Sequence, residues 1–143
     1  MKKIVLSLLM ILAIVYADFT RSNGIVTDNK TGLQWQDDYS DNGGDIKSAK
    51  WTDAIAYCES LSLGGYDDWR LPNIIELRSI VDRSLFNPAI DPTFLSVTSD
   101  YYWSSTTHAH YTDSAWYVYF WGGYSYGGDK SYTSYVRCVR GGQ

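Results

Sequence analysis

A loop-rich α+β fold is what this sequence predicts, and three observations predict it. Two stretches repeat apolar residues at three- and four-residue intervals, as helices do, while shorter β-prone runs sit between segments rich in Gly, Asn and Asp. The acids divide into 14 Asp and only two Glu, and Asp suits turns and caps where Glu suits helix interiors. With 143 residues, 45% of them hydrophobic and 20% charged, the chain has the size and composition of one globular domain. A formal charge of −4 and a pI near 4.9 argue against nucleic acid or another polyanion as partner, since phosphate binding needs a basic surface.

Residues 1–17 read as an export signal. Lys2 and Lys3 form a basic start, Ile4 to Tyr16 an apolar run, and Val15-Tyr16-Ala17 a cut site, so cleavage is expected between Ala17 and Asp18. About thirteen apolar residues fall short of the ~20 that span a bilayer. No Cys follows the cut, which argues against a lipid anchor. The expected product is a single domain over residues 18–143, two units more negative, secreted, periplasmic or at the cell surface, and with no membrane span. In an oxidising compartment the even count of two cysteines, Cys58 and Cys138, suggests a structural disulfide. Closing so long a loop contributes roughly 4 to 5 kcal/mol in the chain-entropy description.

Along the chain, Ile25-Val26-Thr27 and Leu33-Gln34-Trp35 flank the turn-rich Asp28–Gly32 and predict an N-terminal hairpin. Asp37 to Asp45 holds almost nothing apolar and reads as a surface loop. Trp51, Ala54, Ile55, Cys58 and Leu61 place an amphipathic helix over about Thr52 to Leu61, with Cys58 on its buried face. Asn73, with Glu76 three residues on, predicts a capped second helix whose apolar stripe is Ile74, Leu77, Ile80 and Val81, ending near Asp82 or Arg83. Two prolines make Asn87 to Pro92 irregular. Trp116 to Trp121 is read as a strand with Trp116, Val118 and Phe120 inward and Tyr117, Tyr119 and Trp121 outward. Tyr135 to Arg140 is read as a last strand carrying Cys138. Arg70 is expected in a buried ion pair with Asp67 or Asp68.

This order of parts is similar to the C-type lectin-like fold. The strings Val26-Thr27-Asp28-Asn29-Lys30-Thr31-Gly32-Leu33-Gln34-Trp35, Gly64-Gly65-Tyr66-Asp67-Asp68-Trp69-Arg70-Leu71-Pro72-Asn73, Tyr102-Trp103-Ser104-Ser105-Thr106 and Val136-Arg137-Cys138-Val139-Arg140-Gly141-Gly142 resemble the Lcl C-terminal domain family. That family takes its name from the end domain of a bacterial collagen-like adhesin. More distantly, the Arg-Leu-Pro and Val-Arg-Gly-Gly strings are similar to the formylglycine-generating enzyme superfamily. The resemblance implies a fold and little of a function. The Glu-Pro-Asn, Gln-Pro-Asp and Trp-Asn-Asp strings of calcium-dependent lectins are absent from the sequence.

Between Tyr101 and Tyr135 lie nine of the thirteen tyrosines, interleaved with Ser, Gly and Thr, the composition of antibody-like binding loops. The expected function is therefore a non-catalytic module that binds a glycan or protein ligand, as in an adhesin. Tyr117, Tyr119, Trp121, Tyr124, Tyr126 and Tyr132 are its anchors, and His110 and Asp129 its polar contacts. Copies of the family that the chain resembles often carry Asn runs in the stretch matching Tyr119 to Ser134, where this chain has Tyr, Gly, Ser, Asp and Thr. Lectin-like domains also host retroelement-driven, adenine-directed diversification, so Thr107 to Ser134 is a candidate variable region. No cofactor or metal is expected. Two alternatives stay open. One is an enzyme, either of formylglycine-generating type or metal-dependent through His108, His110 and Asp113. The other is a structural surface subunit that self-associates into a homo-oligomer.

Overall fold

The computed structural model describes residues 17–142. The expected export signal therefore lies, all but Ala17, outside the described residues. Nine short strands and two helices form two sheets around two apolar cores.

The predicted hairpin is present. β2 (Ile25–Asp28) and β3 (Gln34–Gln36) pair antiparallel, with Val26 opposite Trp35. The Asp28 side chain accepts hydrogen bonds from the Lys30 and Thr31 amides, and Gly32 turns the chain at φ 76°. Asp28 thus stabilises the turn from within. Two strands extend this sheet: β1 (Phe19–Ser22), which the sequence reading did not anticipate, pairs with β2, and β9 (Val139–Arg140) pairs with β3.

The second sheet has the order β4 (Ser48–Ala49), β8 (Ser134–Tyr135), β5 (Tyr101–Thr107), β6 (Ser114–Tyr119), β7 (Tyr124–Asp129). The expected last strand from Tyr135 to Arg140 is in fact two, since β8 and β9 belong to different sheets. Val136, Arg137 and Cys138 cross between them. Likewise the expected Trp116–Trp121 strand starts earlier and stops at Tyr119, because Phe120 to Gly123 turn the chain into β7.

Helix α1 (Trp51–Ser60) buries Ala54 and Cys58 as its spacing predicts, and Cys58 is bonded to Cys138 with 5.4 Å between their Cα atoms. Helix α2 (Ile74–Ser79) begins at the predicted capping box, in which Asn73 and Glu76 bond each other's amides. It ends sooner than its apolar stripe suggests. Val81 bridges to Ile90, and the Asp82 amide bonds the Ala89 carbonyl. Ile80 and Val81 are therefore apolar because the following segment folds back over the core, not because the helix continues.

Strand residues alternate between the two cores. Ile25, Trp103 and Cys138 join the core under α1, whereas their neighbours Val26, Tyr102 and Val139 join the core under α2. A period of two with both faces buried explains why apolar residues stand side by side at Ile25-Val26, Tyr102-Trp103 and Cys138-Val139.

Asp37 is fully buried, although its stretch was expected to be a surface loop. Its carboxylate accepts from Arg137 at 3.0 Å, Arg21 at 2.7 Å and the amides of Leu95 and Ser96 at 3.0 and 3.1 Å. Four donors compensate the lost hydration, which a buried carboxylate requires. Two residues on, the Tyr39 hydroxyl donates to the Val136 carbonyl. Arg70 pairs with Glu76, through two bonds of 2.7 Å, and not with Asp67 or Asp68; Asp68 takes Arg140 instead.

Two predictions follow from these pairs. Asp37→Asn should cost about 3–5 kcal/mol in urea unfolding, because it leaves the Arg137 charge buried without its partner. Glu76 is partly buried, which alone would raise its pKa, but the Arg70 guanidinium and the Asn73 amide outweigh this and hold the carboxyl below its ordinary value of 4.5. A depressed carboxylate stabilises the fold fully above the unfolded value and loses that contribution as pH falls through the folded one. Glu76→Gln should therefore cost about 2 kcal/mol at neutral pH, and the gap between the two proteins should narrow steadily below pH ~4.5.

Candidate functional site

The register of the larger sheet places its aromatic residues. Tyr101 lies opposite Tyr119, Trp103 opposite Tyr117, Tyr126 opposite Tyr117 and Tyr124 opposite Tyr119. Residues paired in this way share one face, so five tyrosines and a tryptophan share the face on which α1 packs further along.

Within that set, rings stack in a column. Trp103 lies on Tyr117 with centroids 5.3 Å apart, Tyr117 on Tyr101 at 4.5 Å, and Tyr101 on Tyr119 at 4.4 Å, with interplanar angles of 25°, 24° and 17°. Tyr126 meets Tyr101 edge-on at 6.3 Å. The column is anchored at the Trp103 end, where the ring is buried and its indole N–H donates to the Ala49 carbonyl. Its inner rings spend both faces on each other, leaving edges and hydroxyls outward. Burial, and then the nearby phenols, push the Tyr101 and Tyr117 hydroxyls above the usual phenol range. Both are therefore neutral donors at physiological pH.

The expectation that Tyr117 and Tyr119 stand freely outward is thus corrected. Both are half-buried, and Tyr117 packs against the α1 core. Val118 and Phe120 are buried on the opposite face as expected, but Trp116 is only half-buried, under the His108 ring at 4.7 Å. Trp121 is on the turn and not in the strand. It leaves the row and tilts against Phe86 with centroids 5.9 Å apart.

The expected site residues divide between the two ends of the sheet. Tyr119, Trp121 and Tyr124 lie at the β6–β7 turn, with Tyr117 and Tyr126 next along. Asp129, Tyr132 and His110 lie at the far end, ~17 Å away along a six-residue strand. There Asp129 closes a turn by accepting from the Ser131 amide and hydroxyl, a local structural task. His108 accepts the His110 and Tyr111 amides on Nδ1. That nitrogen is therefore engaged by the loop itself. Among the described residues, no group of three or more His, Cys, Asp or Glu is placed to hold a metal ion.

The exposed aromatic end comprises Trp121 (47% exposed), Tyr124 (55%), Tyr126 (46%) and Phe86 (72%) beside the outermost column ring, Tyr119. Sequence reasoning missed Tyr101 and Phe86. Tyr101 was findable, since β5 alternates as β6 does and places Tyr101 and Trp103 on one face. Phe86 had no local signal, because the fold-back after α2 brings it to Trp121. A cleft of about 420 Å³ at the β6–β7 turn is lined by Ile75, Arg78, Ser79, Val81, Arg83 and Gly123.

These features define a small disulfide-bonded α+β domain with an exposed aromatic end on its larger sheet. The Lcl C-terminal domain family matches residues 24–140, and the chain belongs to that family. A search of the curated proteins found no match.

The column depends on a missing side chain. A Cβ at Gly128 would lie 2.6 Å from Tyr117 Cε2, so Gly128→Ala must displace that ring. The near-UV circular dichroism of the stacked aromatics should fall while the far-UV spectrum is retained, with a stability loss of about 1–3 kcal/mol.

Proposed function

We propose that this protein is an exported, non-catalytic binding module of C-type lectin-like architecture, and that it recognises a protein or glycan ligand through the aromatic end of its larger sheet. The observation that carries this reading is the exposure of Trp121, Tyr124 and Tyr126, with Phe86 against Trp121, at the turn where a stacked ring column ends. Large aromatic groups left about half or more in water mark recognition surfaces. Tyrosines add hydrogen bonding at little entropy cost, and those already held in a column lose still less on binding.

The architecture is supported by the first and last strands belonging to one sheet, as its two edges, by the two helices, and by a disulfide from the first helix to Cys138 beside the last strand. Export is supported by the basic and apolar start of the sequence and by the disulfide. No helix among the described residues is long and apolar enough to cross a membrane. Of the expected anchors, Tyr119, Trp121, Tyr124 and Tyr126 form this surface. Diversification of Thr107 to Ser134 would suit it, because Tyr124 and Tyr126 face water while Ala115, Val118 and Phe120 hold the cores. A genome carrying no adjacent reverse transcriptase and no near-repeat template would remove that refinement.

A glycan and protein array probed with the disulfide-bonded chain should return a ligand. Tyr119→Ala/Tyr126→Ala should weaken its binding at least tenfold, about 1.4 kcal/mol, with the fold intact by circular dichroism. Unchanged binding would remove the aromatic end as the site. A second reading, self-association through the same end, is favoured by the exposed Phe86–Trp121 pair. It predicts a concentration-dependent dimer in sedimentation that Trp121→Ala dissolves.

A further inference from the structure

Beside the aromatic end runs the cleft of about 420 Å³ between the end of α2 and the β6–β7 turn. We infer that it binds a carboxylate carried on an apolar protein segment. The inference rests on the proposal that this end of the sheet is a recognition surface, and it specifies what part of a ligand the neighbouring cleft would take.

The chain has six arginines, and four are committed. Arg21 and Arg137 hold Asp37, Arg70 holds Glu76, and Arg140 holds Asp68. The remaining two, Arg78 and Arg83, are exposed, reach no carboxylate among the described residues, and line the same cleft. In an acidic protein, two unpaired guanidinium groups on one cavity concentrate positive potential where the overall charge would not place it. Position on the helix accounts for only one of them. Arg78 occupies the last turn of α2, where a cation offsets the helix carbonyls; Arg83 is beyond the helix. The acid beside Arg83 in sequence, Asp82, is satisfied by the Ser84 amide and hydroxyl at 2.9 and 2.6 Å. Arg83 instead lies over the Tyr124 ring, 5.7 Å from its centre, which directs it along the cleft rim and joins the cavity to the aromatic end.

The walls distinguish a protein segment from an acidic sugar. Ile75, 76% exposed, and Val81 supply aliphatic surface. The β6–β7 turn lies flush against Val81, because a Cβ at Gly123 would come within 2.4 Å of that side chain. The Tyr124 ring, under Arg83, adds an aromatic surface at the rim. A uronic acid brings a ring of hydroxyls with its carboxylate, and Ser79 is the hydroxyl side chain lining the cleft. An Asp or Glu flanked by aromatic and aliphatic residues matches both parts, with guanidinium groups for the carboxylate and Ile75, Val81 and the Tyr124 ring for its neighbours.

The test is a titration of the isotope-labelled, disulfide-bonded chain with acetyl-Phe-Glu-Leu-amide, followed through the amide signals of Ser79, Arg83 and Gly123. These signals should shift and saturate. Acetyl-Phe-Gln-Leu-amide and glucuronate should each bind at least tenfold more weakly. Arg78→Gln/Arg83→Gln should weaken the Glu peptide at least tenfold with an unchanged far-UV spectrum, whereas Arg78→Lys/Arg83→Lys should keep part of the affinity. Equal binding of the Glu and Gln peptides, undiminished binding by the Arg78→Gln/Arg83→Gln protein, or tighter binding of glucuronate would each overturn the inference. Tyr119→Ala/Tyr126→Ala should leave the peptide titration unaltered, so failure of the cleft and failure of the aromatic end are separately visible.

Discussion

The buried contact between Arg137 and Asp37 is the interaction on which the rest of the structure depends. Arg137 belongs to the short crossing that leaves the larger sheet at Tyr135 and enters the smaller one at Val139. In that crossing Val136 and Cys138 serve the α1 core, Arg137 pairs with the Asp37 carboxylate, and Cys138 bonds to α1. The guanidinium also bonds the Gln36 and Ser96 carbonyls and lies over the Phe94 ring at 5.0 Å. One side chain thereby fixes the hairpin, the irregular middle segment and the last strand relative to one another. A buried ion pair of this kind adds less net stability than its contact distances suggest. Its stronger effect here is on arrangement, since a displaced middle segment would strip the pair of the Leu95 and Ser96 amides and the Ser96 carbonyl, and a displaced crossing would leave the Arg137 charge without its partner.

The disulfide acts on the other side of the equilibrium. It joins residues 80 positions apart and so restricts chiefly the unfolded chain, whereas the Asp37 cluster selects among folded arrangements. Core residues lie on both faces of β5 and β6, Trp103 and Ala115 on one and Tyr102 and Val118 on the other. The end next to the β6–β7 turn is partly uncovered on the face that carries Tyr119, Tyr124 and Tyr126. The tyrosine richness of the last third of the chain therefore does not produce a uniformly sticky sheet. Part of it becomes a packed column with its inner ring faces turned onto one another, and part becomes a compact exposed end beside a cleft bearing two unpaired arginines.

How much of this was legible depended on whether the signal was local. The hairpin, both helix starts, the capping box and the disulfide were readable because each rests on spacing within a few residues or on the chemistry of a residue pair. The end of α2 was not, because Ile80 and Val81 are apolar for a bridge made to Ile90. Nor was the burial of Asp37, which looks like any turn acid until Arg21 and Arg137 arrive from distant positions. At the candidate site, the period of β6 gave the right faces for Val118 and Tyr119. It could not show that the Tyr117 face is partly covered by Trp103 and the α1 core, nor that the strand stops before Trp121. His110, Asp129 and Tyr132 share the site's composition but lie at the opposite end of the sheet, a separation that only register reveals.

The central claim is that the aromatic end at the β6–β7 turn is where the ligand sits. Hydroxyl-radical footprinting with and without the ligand that the array identifies tests it most directly. Tyr119, Trp121, Tyr124 and Tyr126 should become protected, while Tyr111 and Tyr132, both highly exposed at the other end of the sheet, should be labelled equally in the two states. Protection of Tyr111 and Tyr132 with no change at Trp121, Tyr124 and Tyr126 would contradict the account.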